Sequence, residues 1–152
     1  MELSQAEVSG VVEAIQLSVA PVFLLSGIGV LLSVLTSRLA RVVDRARPME
    51  EKLVTATGEE RDDLLRRLRW LSKRARFANA AITLSTLSAL LVAVVVATLF
   101  VSTFVEFNLG LVVAGLFVGS MLALVGALVA FLVEVRIATL TIRIGPRERQ
   151  DD

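Results

Sequence analysis

The stretch Ala14-IQLSVAPVFLLSGIGVLLSVLT-Ser37 runs for 24 residues without a charged side chain. An α-helix needs about 20 apolar residues to cross a hydrocarbon layer about 30 Å thick. Two more uncharged stretches follow: Phe77–Val105, with 29 residues, and Phe107–Val133, with 27. Hydrophobic residues make up 55% of the chain, mean hydropathy is +0.76, and the apolar residues gather in these blocks. A soluble helical bundle would need a polar face on every helix, and these stretches offer none. The reading is an all-α membrane protein with three transmembrane helices.

Charge lies almost wholly in the gaps. Of 16 basic residues, 12 fall between the first and second stretches, from Arg38 to Arg76, and the other four (Arg136, Arg143, Arg147 and Arg149) follow the third. The segment before the first stretch has Glu2, Glu7 and Glu13 but no Lys or Arg, and Glu106 stands alone between the second and third. Basic loops stay in the cytoplasm, so the expected orientation is N-terminus outside and C-terminus inside, in a cell inner (plasma) membrane. Without a basic n-region, the first span is expected to be retained instead of cleaved as a signal peptide. A net charge of +1 gives no ground for a nucleic-acid partner.

The edges of the spans suggest longer helices. Residues 1–13 read as an extracytoplasmic segment with a short interfacial helix, and 14–37 as the first span, Pro21 lying near its outer end. No breaker separates Ser37 from Arg38, so the helix should continue to about Arg47, with Pro48 as a kink or restart. Thr55-Ala-Thr-Gly58 is the clearest turn, and Thr57 followed by Glu60 has capping-box spacing. From Glu59 nothing interrupts a helix until Phe104. Apolar residues recur every three or four positions in both flanking arms: Leu35, Leu39, Val42, Ala46, Met49 and Leu53, then Leu64, Leu68, Leu71, Ala75 and Ala78. Residues 38–77 therefore read as a basic cytoplasmic antiparallel helical hairpin that extends the first two spans. A second span over 78–104, an outer turn over 105–109 and a third span over 110–133 complete the bundle. The extension over 134–152 is stopped by Gly145-Pro146 and ends in a charged tail.

Candidate functional residues fall into three groups. Gly115, Gly119, Ala123 and Ala127 repeat at intervals of four, a spacing that lets another helix backbone approach; the approach could be within one chain or between copies. Ser26, Gly29, Ser33 and Ser37 on the first span, with Asn79, Thr83 and Thr86 on the second, form small or hydroxyl-bearing rows. Such rows either pack against helices or line a narrow wet pore in an oligomer. Arg38, Arg41, Asp44, Arg45, Arg69, Lys73, Arg76 and Glu134 sit at or beyond the inner boundary. They set topology and contact anionic lipid headgroups, or they form a specific lipid site or pore vestibule. Glu134 is expected to pair with Arg38 or Arg41.

Chemistry is scarce. The chain has no His, Cys or Tyr, which removes the usual participants of nucleophilic, redox and metal-hydrolytic schemes. No enzyme activity, cofactor or metal site is expected. No span carries an ionisable residue at its middle, as a proton-coupled transporter would.

The string Ala20-PVFLLSGI-Gly29, the junction Leu35-TSRLARVVDRA-Arg47 and Leu65-RRL-Arg69 resemble the small bacterial membrane proteins grouped as domain of unknown function 2721. The likeness covers about residues 10 to 145, and the arginine-rich junction is its most specific part. It implies helical spans and a bacterial inner membrane, and it brings no activity, substrate or cofactor. The functional expectation is a homo-oligomer with a channel-like pore for small ions. The alternative is a non-conducting scaffold whose basic hairpin binds a soluble partner or anionic lipid.

Overall fold

A computed structural model describes residues 5–102 and 110–140. It contains three helices: α1 (Gln5–Thr55), α2 (Gly58–Ser102) and α3 (Gly110–Leu140). At 1.5 Å per residue, their 51, 45 and 31 residues give lengths of about 77, 68 and 46 Å. All three are long and apolar enough to cross a membrane. The expected turn around Glu106 and the stop at Gly145-Pro146 lie outside the described residues.

The first helix is longer than its sequence suggests. Residues 5–13, the described part of the N-terminal segment, belong to α1 and are continuous with the span, so they form no separate interfacial helix. Nor does the chain restart at Pro48, because α1 runs through it to Thr55. Proline removes one N–H and frees the carbonyl four residues earlier, here that of Asp44. Both residues are exposed, so water can satisfy that carbonyl and the helix survives.

The turn is very short. Ala56 is buried and donates its N–H to the Lys52 carbonyl at 3.0 Å, closing the last turn of α1. Gly58 then takes a left-handed φ of +60°, which a residue without Cβ adopts freely. Arg61 reaches back to the Leu53 carbonyl at 3.4 Å, and Glu59 and Glu60 occupy the first turn of α2, where acidic groups complement the helix dipole. From here α2 runs back along α1. Val42 and Ala46 lie beside Leu68 and Leu71 at one end, and Ala14 and Leu17 beside Leu99 at the other.

The second helix is the centre of the bundle and packs against both others. Its buried residues are Ala78, Ala81, Ser85, Ser88, Val92 and Val95. Ile28 and Leu35 of α1 and Ser120, Ala123 and Ala127 of α3 are buried as well, and Ser88 of α2 reaches Ser120 directly. Small side chains dominate this seam because helices without a hydrophobic driving force between them gain attraction from close approach. Many large apolar residues point outward instead, among them Phe23, Leu111 and Leu122, as a lipid-facing surface requires.

Two buried serines make a testable contrast. Ser88 donates to the Ser120 carbonyl at 2.8 Å, a hydrogen bond between α2 and α3. The Ser85 hydroxyl is equally buried and makes no hydrogen bond. Ser88→Ala should lower stability in detergent by about 1 kcal/mol, whereas Ser85→Ala should be neutral or stabilising, since it removes an unsatisfied polar group. Thermal unfolding of the two variants side by side checks this. An equal loss in both would show that Ser85 has a partner after all.

Candidate functional site

The three uncharged stretches end close to one level: Ser37 precedes Arg38, Arg76 precedes Phe77, and Val133 precedes Glu134. There the helices are tied together by charge. Glu134 of α3 is 1% exposed, and both of its oxygens are taken. Arg38 of α1 donates through Nη1 to Oε2 at 3.1 Å. Arg74 of α2 donates to Oε1 through Nη2 at 2.8 Å and through Nε at 3.3 Å. The Arg38 guanidinium also lies over the ring of Phe131, 5.2 Å from its centroid. Phe131 and Glu134, three residues apart on α3, thus hold one arginine from two sides. A buried carboxylate needs this many donors to offset its lost hydration.

Arg74 is the residue the sequence reading missed. Several basic side chains crowd this arm of α2, and the one that faces α3 depends on the helix's rotation. The clue lies further along. Leu84 approaches Gly126, Leu91 approaches Gly119 and Ser88 meets Ser120, so stepping back by threes and fours through Ala81 and Phe77 arrives at Arg74.

Below this triad, Arg38, Arg41, Arg45 and Arg74 with Val42 line a recess of about 190 Å³. Arg41 gives Nε to the Ser37 carbonyl at 3.4 Å. Among the described residues Arg45 makes no ion pair, and exposed Asp44 pairs with none of these arginines. Farther along α2, Arg66, Arg69 and Lys73 surround a half-exposed Trp70 on the surface, and Arg76 is exposed.

The polar rows stand elsewhere. Ser26, Gly29, Ser33 and Ser37 are all exposed on α1, and so are Asn79, Thr83 and Thr86 on α2. Among the described residues, no member of either row is buried against a neighbouring helix. Their hydroxyls are partly satisfied locally: Thr83 donates to the Asn79 carbonyl at 3.0 Å and Thr86 to the Ile82 carbonyl at 2.9 Å. Such bonds to the preceding turn are how hydroxyls settle inside apolar helices. The small-residue row of α3 divides. Ala123 and Ala127 are buried and Gly119 lies beside Leu91, but a Cβ on Gly115 would meet nothing within 4 Å.

A family model described as "Protein of unknown function (DUF2721)" matches residues 18–144. No curated protein and no solved structure matches the chain.

Proposed function

We infer, for a chain that belongs to the DUF2721 family of proteins of unknown function, a homo-oligomer in the membrane with a channel-like pore for small ions. The observation that carries this reading is the outward placement of both polar rows, Ser26–Ser37 and Asn79–Thr86. Within a bilayer an amide and a run of hydroxyls are poorly placed against lipid tails. A second copy or a water-filled axis gives them partners, and rings of arginine at the inner mouth would shape the field at the pore entrance. The orientation that goes with it has the N-terminus outside and the α1–α2 tip in the cytoplasm, from the distribution of Lys and Arg.

The second reading is a non-conducting scaffold. It is favoured by the hydroxyl bonds of Thr36, Thr83 and Thr86 to their own helices, which leave less need for water. Purified protein in liposomes separates the two. The pore reading expects ion flux, and replacement of Asn79 or Ser33 with Leu should change conductance several-fold. Absence of flux at every voltage, pH and osmotic gradient tried would leave the scaffold.

A further inference from the structure

We propose that the recess lined by Arg38, Arg41, Arg45 and Arg74 binds the phosphate group of an anionic lipid headgroup. The inference holds whether or not the assembly conducts. Four guanidinium groups converge on a recess of about 190 Å³, and one carboxylate, Glu134, neutralises only one of them. Like charges brought this close repel unless an anion joins them.

Donor capacity points the same way. Arg38 and Arg74 are held in place by Glu134, which fixes one wall of the recess. Arg41 donates Nε to a carbonyl of its own helix, leaving its two terminal nitrogens available, and Arg45 brings a guanidinium with no ion pair among the described residues. A guanidinium is a planar fork whose geometry matches phosphate oxygens two at a time. The recess is also smaller than a pocket for a drug-sized ligand, so it suits a compact anion.

Position selects the source of that phosphate. Arg38 is the first charged residue after the uncharged stretch of α1, and Arg41 and Arg45 follow one and two turns beyond it. This level is where apolar chain gives way to headgroups, and basic residues there attract anionic lipid. Val42 is the remaining lining residue and offers apolar contact beside the acyl boundary.

The test uses the full chain in detergent. Native mass spectrometry would count retained lipid, and thermal unfolding would be followed with added phosphatidylglycerol, phosphatidylcholine or inorganic phosphate. The wild type should retain phosphatidylglycerol at least tenfold better than phosphatidylcholine and unfold several degrees later in its presence. Arg41→Gln with Arg45→Gln leaves the Glu134 pairs intact and should abolish both effects. Arg66→Gln with Arg69→Gln, outside the recess, should keep them. Unaltered retention in the first double variant would overturn the proposal, as would an equal loss in the second. Saturation by inorganic phosphate alone would uphold the phosphate chemistry and overturn the lipid as its source.

Discussion

Glu134→Gln should destabilise the purified protein by about 3 kcal/mol, the lower end of what removing one partner of a buried ion pair costs. The variant keeps the shape of the side chain and removes its charge, leaving Arg38 and Arg74 facing each other without a counterion. The lower end is appropriate because the two arginine side chains are 33% and 20% exposed, so each can turn partly toward solvent. Unfolding in mixed micelles measures the loss. A value below about 1 kcal/mol would mean that the triad behaves like a surface pair. The companion variant removes all three charges together, Arg38→Met, Arg74→Met and Glu134→Leu. It should recover most of the lost stability, because a buried ion network and an apolar cluster of similar volume are often nearly equivalent.

The second large effect comes from one row of small residues with two fates. Ala127→Leu should cost about 1–3 kcal/mol, since Ala127 is fully buried between α3 and α2 and added methylenes must push the helices apart. Gly115→Leu should not destabilise the single chain, because its Cβ would meet nothing, and helix propensity favours Leu by up to about 1 kcal/mol. Its effect should appear in assembly, as a shift toward monomer in native mass spectrometry, if copies meet on that face. Unchanged stability in Ala127→Leu would show a loose α2–α3 seam. An unfolding loss in Gly115→Leu would place a neighbour where none is seen.

Much of this architecture is legible in the chain. Uncharged runs of this length have few alternatives, and the Ala56-Thr57-Gly58 turn is marked by the glycine that makes its left-handed step. Where the reading falls short, the reason is geometric. Pro48 reads as a kink or restart because the penalty of proline is usually judged for a buried helix, and here Asp44 and Pro48 are both exposed. Arg38 beside Glu134 could be anticipated from their shared level at the span edges. Arg74 could not be chosen from its basic neighbours until the α3-facing side of α2 was fixed by Leu84, Ser88 and Leu91. The polar rows were visible as rows, but whether a helix neighbour covers them depends on the rotation of each helix. Only three-dimensional packing sets that angle.

The overhang of α1 and α2 makes the molecule a lever. Beyond Arg38 and Arg74 the paired arms continue to the Ala56-Thr57 turn, about 27 Å along α1 at 1.5 Å per residue. The ion triad is the fulcrum, the overhang is the shorter arm, and the span, with 24 residues or about 36 Å from Ala14 to Ser37, is the longer one. A bilayer that thickens or thins changes helix tilt, and a tilt of about 10° about that fulcrum swings the tip by roughly 5 Å over this length. Exposed Val54, 84% accessible beside the turn, rides at the end of that arc, so bilayer strain would be displayed as movement at the far end of the hairpin.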